Sequence, residues 1–256
     1  MNEDIDSIHR MRAITISREY GGGGGEIASR LAKRLGWDLI DHAIVERTAR
    51  VLGTSLEEAE AHDESTQGIV SQALNGLLYL SPATMASAPL EAFLSDEDYS
   101  RTRDRIVRAA AARGHVVIVG RASQVILADL RDVLRVRVIA SFEKRVAYVM
   151  QREGVDRHAA ESRIHKKDHE RAKSLEKEYH HNPGEAHLYD LVLNTSLLDL
   201  ESAVDIICFT LQQKAKGLAK KTGELGPATR LARYPAQPED FPSPARLVPL
   251  EEAASK

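Results

Sequence analysis

The chain has 256 residues, 43% of them hydrophobic and 29% charged, enough apolar material for one sizeable core with or without a small subdomain. A formal net charge of −3 excludes a general cationic field of the kind that holds nucleic acid or anionic membranes, so any phosphate binding must be local. The opening residues MNEDIDSIHRMR are acidic and polar where a secretory leader is cationic and then apolar, and no apolar run approaches membrane-spanning length, so a cytoplasmic protein is expected.

Arg12 to Ser17 is a short β-branched run that stops at a glycine tract, and Ile27, Leu31, Ala32 and Leu35 then follow at helical spacing. The pattern is strand, glycine loop, helix. Gly36 ends that helix, Trp37 to Ile40 makes a second strand, and Asp41 caps a helix running through Ile44, Val45, Thr48 and Val51-Leu52. From Ser55 to Asp98 helical patterning is broken by Gly68, Gly76, Pro82 and Pro89, which predicts a helical insert. A firmer helix, Tyr99 to Arg113, leads into Gly114 to Arg121, whose continuous apolar run reads as a central buried strand ending in Gly-Arg.

Val133 to Ala140 predicts a strand with exposed arginines at alternate positions, followed by a helix from Phe142 to Arg152. Asp156 to His181 is densely charged and predicts one or two exposed helices. A strand over Leu188 to Asn194 and an amphipathic helix over Leu198 to Gln213 complete five β-α repeats, which implies a parallel sheet. Cys208, the single cysteine, sits in an apolar run and reads as a buried hydrophobe. Residues 217–256 are proline-rich without apolar periodicity and read as a disordered tail.

Five consecutive glycines, Gly21 to Gly25, serve no evident packing purpose and cost backbone entropy, so something needs the bare backbone. Successive N–H groups there can converge on an anion at the positive end of the following helix, and Arg18 can add a guanidinium. The loop has neither the lysine nor the hydroxyl of the full phosphate-loop motif. Gly120-Arg121 falls at the carboxyl end of a central strand, where open α/β sheets bind ligands. Arg163, Lys167 and Arg171 recur every four residues and share one helix face, with Asp168 beside them. His165 and His169 are the sole i, i+4 histidine pair and no cysteine joins them, so no protein metal ligands are expected.

Taken together, RAITISREYGGGGGEIASRLAKRLGWDLID, HVVIVGRAS, RVIASFEKRVAYVMQREGV, RIHKKDHERA and YDLVLNTSLLDLESAVDII resemble the cytidylate kinase-like family over about residues 12 to 213. The resemblance implies a P-loop nucleoside monophosphate kinase fold: an α/β domain over residues 12–216 with a five-stranded parallel sheet flanked by helices. It implies an insert or acceptor region over 55–98 and a helical lid over 156–187, leaving 1–11 as an extension. By position, Ser17, Arg18, Gly21, Gly22, Gly23, Gly24, Gly25 and Glu26 match the ATP phosphate loop, with Gly24 at the lysine position and no hydroxyl at Glu26. Asp41, Arg47 and Arg121 match acceptor-binding positions, and Arg163, Asp168 and Arg171 match the catalytic lid. Ala122 replaces the aspartate that follows Gly-Arg in cytidylate kinases, which bears on cytosine specificity.

The expected activity is transfer of the γ-phosphoryl group of ATP, with Mg2+, to a nucleoside monophosphate such as CMP. A nucleotide-binding pseudokinase or sensor and a kinase for another small phosphate acceptor are the alternatives. The expected partners are small phosphate compounds, not nucleic acid or membrane. Restoring a lysine at Gly24 is expected to strengthen ATP binding.

Overall fold

The computed structural model describes residues 8–41 and 96–226. Chain contacts divide the protein into a unit over residues 1–219 and a second over 220–256, in which the described part holds one 3-10 turn, Thr222–Glu224. The predicted helix after Asp41 and most of the insert and tail lie outside the described residues.

Within the first unit the elements run β1 (Ala13–Arg18), α1 (Gly24–Leu35), β2 (Asp38–Ile40), α2 (Asp96–Arg113), β3 (Val116–Val119), α3 (Ser123–Ile126), β4 (Val133–Ile139), α4 (Phe142–Glu153), α5 (Arg157–Tyr179), β5 (Leu191–Asn194) and α6 (Leu200–Gly217). The strands form one five-stranded sheet in the order β2-β3-β1-β4-β5, and every neighbouring pair is parallel.

Both faces of the sheet are covered, which is why β1 and β3 read as unbroken apolar runs. Side chains alternate between faces. Ile14 and Ile16 join Val117, Leu134 and Val136 in a core closed by α1 and α6. Ala13, Val116, Ile118 and Val133 face the other way, into a core closed by α2 and α3. Cys208 is half-buried at the margin of the first core rather than fully enclosed.

The charged segment forms one helix, α5, capped by the Asp156 carboxylate accepting from the Ala159 N–H at 2.8 Å. Its buried residues Ala160, Ile164 and Leu175 define a stripe that also carries Asp168, Arg171 and Tyr179 at intervals of three or four. Four-residue steps drift by about 40° each at 100° per residue, so Arg163 and Arg171 stand about 80° apart rather than on one face. Another correction concerns β4. It lies between β1 and β5, and its Arg135 and Arg137 are part-buried, because a strand inside a doubly covered sheet has no solvent face.

The glycine tract does have a packing purpose. A Cβ on Gly21, whose φ is +81°, would lie 2.8 Å from the Arg145 carbonyl oxygen on α4. One on Gly23 would lie 2.7 Å from the Leu200 side chain on α6, and one on Gly24 2.7 Å from Arg18 Cβ. Only Gly25, among the five, has no neighbour within 4 Å of that position. Gly21→Ala should therefore destabilise the fold by about 1–3 kcal/mol, whereas Gly25→Ala should be neutral or stabilising by up to about 1 kcal/mol. Urea unfolding of the two variants checks the contrast, and equal midpoints would contradict this packing.

Candidate active site

Strand β1 ends at Arg18, and β3 hands over to Gly120, Arg121 and Ala122, all in the left-handed region at φ 72°, 59° and 54°. Two of these are not glycine, a conformation that costs of order 1 kcal/mol or more apiece and clusters at functional sites. The Gly120 N–H donates to the Ile16 carbonyl at 3.0 Å, fixing this turn to the end of β1. A Cβ on Gly120 would lie 2.2 Å from Arg18 Nη1, so the guanidinium rests where only a bare Cα leaves room.

Beside it opens a cavity of about 570 Å³. Its cations are Arg18, Arg103, Arg121, Arg137, Lys167 and Arg171, set against the carboxylates of Glu19, Asp168 and Glu170. Several of these charges are committed elsewhere. Arg103 is almost fully buried but pairs with Glu178 at 2.6 Å and Asp104 at 3.1 Å, and donates to the Tyr179 hydroxyl at 2.6 Å. That network holds its guanidinium proton more firmly than usual despite burial, and it ties the end of α5 to α2.

Asp168 joins α5 to the loop after β1. Its Oδ1 accepts from the Tyr20 N–H at 2.8 Å, and its carboxylate pairs with Arg145 and, at 3.7 Å, with Arg171. Arg171 donates to the Arg18 carbonyl at 3.2 Å and lies over the Tyr20 ring. The Tyr20 hydroxyl donates to Glu153 at 2.5 Å, and Glu153 also pairs with Arg163. Burial, reinforced by that bond, pushes the Tyr20 hydroxyl up.

Arg18 differs from these, since no carboxylate lies within ion-pair distance of it among the described residues. Burial, then Arg171 and Arg121, draw its guanidinium well down, to about 9, with Asp41 opposing. A guanidinium keeps its proton at neutral pH, so a cation in this position is relieved by an anion rather than by titration.

Of the residues singled out in the sequence, Ser17, Arg18, Arg121, Asp168 and Arg171 line the cavity, and Asp41 acts on it through Arg18. Glu26 points elsewhere, pairing with Arg30 at 3.2 Å and Arg152 at 3.6 Å. Arg163 is half-exposed on Glu153, outside the cavity, and Arg47 lies outside the described residues. None of the five glycines lines the cavity; the loop adjoins it through Arg18, which also fills the space a side chain on Gly24 would need. Sequence reasoning missed Arg103, Arg137 and Gln124. For Arg137 the signal was its parity on β4, two residues from Arg135 in a strand flanked on both sides.

Comparisons with known proteins bear on this arrangement. A uronate isomerase from Corynebacterium glutamicum is 33% identical over 132 residues, 52% of this chain and 25% of that protein. A cytidylate kinase from Ignicoccus hospitalis is 26% identical over 198 residues, 77% of this chain and 97% of its own. The chain thus spans a quarter of one curated relative and nearly all of the other. A crystal structure of an uncharacterized protein from Eubacterium ventriosum has the same fold, with a TM-score of 0.58 at 21% identity over 78% of this chain and 98% of that one. The family model described as the cytidylate kinase-like family matches residues 13–197, and the chain belongs to that family.

Proposed function

We propose that the protein is a phosphotransferase that moves the γ-phosphoryl group of ATP to a small phosphate-bearing acceptor, with a nucleoside monophosphate such as CMP as the first candidate. The observation that carries this reading is Arg18, a buried cation with no carboxylate within ion-pair distance among the described residues, flanked by Arg121 and Arg171 at the carboxyl edge of the sheet. The acceptor oxygen would attack the γ-phosphorus as the bond to the β-γ bridging oxygen breaks, and ADP would leave with the electron pair. Such chemistry asks the protein mainly for positioning and charge.

Residue roles follow from placement. The loop Gly21 to Glu26 opens α1 at Gly24, and the first N–H groups of a helix have no acceptor within it, so they and the helix dipole would hold donor phosphates. Arg18 would take the part of the absent lysine from the other side of Gly24. Arg121 would hold the acceptor phosphate, and Arg171 would meet the migrating group. Asp168 would position Arg171 and Tyr20 rather than touch substrate. Magnesium would arrive on the nucleotide, whose phosphate oxygens are its ordinary ligands.

A second reading, nucleotide binding without turnover, is favoured by Glu26, which offers no hydroxyl and is engaged by Arg30 and Arg152. A coupled turnover assay against a panel of monophosphates, beside calorimetric titration of ATP with magnesium, separates the two: binding with turnover supports transfer, and binding without it supports the second. No ATP binding contradicts both.

In the active protein, Arg171→Ala should raise the barrier by about 2–4 kcal/mol while changing ATP affinity little, and Arg163→Ala, which breaks an exposed pair, should stay within about twofold of the parent. Equal losses in the two variants would contradict these roles. Gly24→Lys, expected from sequence to strengthen ATP binding, should instead weaken it about tenfold or more, because its Cβ would meet Arg18 at 2.7 Å. Titration of ATP into the variant decides this, and tighter binding would show that Arg18 yields freely.

A further inference from the structure

Several arginines of this fold are closed by carboxylates. Arg12 pairs with Asp132 at 2.6 Å, Arg103 with Glu178 at 2.6 Å and Arg135 with Asp190 at 3.1 Å. Arg137, two residues beyond Arg135 on the same strand and the same face, has no carboxylate within ion-pair distance among the described residues. It is nevertheless held in place. Its Nη1 donates to Ser17 Oγ at 3.0 Å, and its guanidinium lies 5.7 Å from the centre of the Tyr189 ring, whose hydroxyl donates to the Pro183 carbonyl at 3.0 Å. The groups that fix it are neutral, and the planar fork keeps further donors for a ligand.

Its position differs from that of Arg18. Arg137 pairs in register with Ser17, one row inside the Arg18 and Val138 row that ends β1, and on the face covered by α2 and α3. It lines the same cavity as Arg18, Arg121 and Arg171 from this neighbouring row. Gln124 lines the same cavity at 4% exposure, and its Oε1 is buried without a hydrogen-bond partner among the described residues. An amide can present either end, so Gln124 can add a donor to the same cavity. A neutral ligand group there would leave the Arg137 charge uncompensated next to Arg171, whose own guanidinium is drawn down first by burial and further by Arg137.

We propose that Arg137, with Ser17 and Gln124, holds a second oxyanion on the acceptor, distinct from the phosphate that receives the transferred group. The acceptor class is thus a phosphate monoester carrying a further carboxylate or phosphate. This rests on the phosphotransferase reading of the cavity and narrows it away from CMP, which carries no second oxyanion.

The test is calorimetric titration of the full chain with alkyl phosphates of two to five carbons whose far end is a hydroxyl, a carboxylate or a second phosphate. At one or more chain lengths an anionic end should bind about tenfold tighter than the hydroxyl end, and which anion gains more identifies the second group. Arg137→Gln should erase that advantage while leaving the hydroxyl-ended compound within about twofold, and Arg137→Lys should keep part of it. Arg137→Lys carries the test if Arg137→Gln does not fold. Binding of the hydroxyl-ended compound with no anionic advantage at any length, or an advantage that survives Arg137→Gln, overturns the second oxyanion alone. Failure of all the compounds to bind overturns the phosphate reading of the cavity as well.

Discussion

The arrangement depends on one guanidinium held in an expensive place. Arg18 is buried at the end of the central strand, close to two further arginines and with no carboxylate within ion-pair distance among the described residues. A charge in that situation costs free energy in the empty protein, and the fold spends several other features to keep it there. Gly120 withholds the Cβ that would collide with Nη1, Arg121 and Ala122 accept left-handed backbone to make the turn, and Gly24 leaves the space that Arg18 Cβ and Cγ fill. Left-handed non-glycine backbone and crowded like charge gather at one point here, and such features cluster at functional sites.

The helix that bears Arg171 is fixed at both ends of its inward stripe. Ala160 and Ile164 pack with Val146 and Val149 of α4, and Tyr20 joins that cluster. At the other end Leu175 packs against Leu188 and Tyr189, while Glu178 and Tyr179 hold Arg103. Between these anchors Asp168 binds the backbone of Tyr20, and Arg171 binds the carbonyl of Arg18. Loop and helix are thus held together, and in the proposed function Arg171 would be set before a ligand arrives, so less of the binding energy would go into ordering it.

Much of the fold was legible from the chain, because its signals are local. Apolar runs bounded by glycine, helical spacing such as Ile27-Leu31-Ala32-Leu35, and five alternations of strand and helix lead directly to a parallel sheet. Residues of the cavity were legible where they stand next to a local signal, as Arg18 does beside the glycine tract and Arg121 after a buried strand, or recur at helical spacing, as Arg171 does. Arg103 and Glu178 are 75 positions apart, and nothing near either announces the pair. Arg163 and Arg171 look equivalent in sequence because both recur at helical spacing, yet the drift of that spacing sends one to Glu153 and the other to the cavity. The glycines were read as ligand space alone, whereas three of them are also packed against α4, α6 and Arg18, contacts that only the folded chain reveals.

The claim that Arg18 is a cation waiting for an anion is tested most directly by its stability rather than by activity. Thermal unfolding of the parent and of Arg18→Gln, with and without millimolar inorganic phosphate or ATP, separates the cost of the charge from its use. The account predicts that Arg18→Gln is at least as stable as the parent without anion, and that anion raises the melting temperature of the parent but not of the variant. A variant that is less stable than the parent without anion, and that is still stabilised by anion to the same extent, would contradict it.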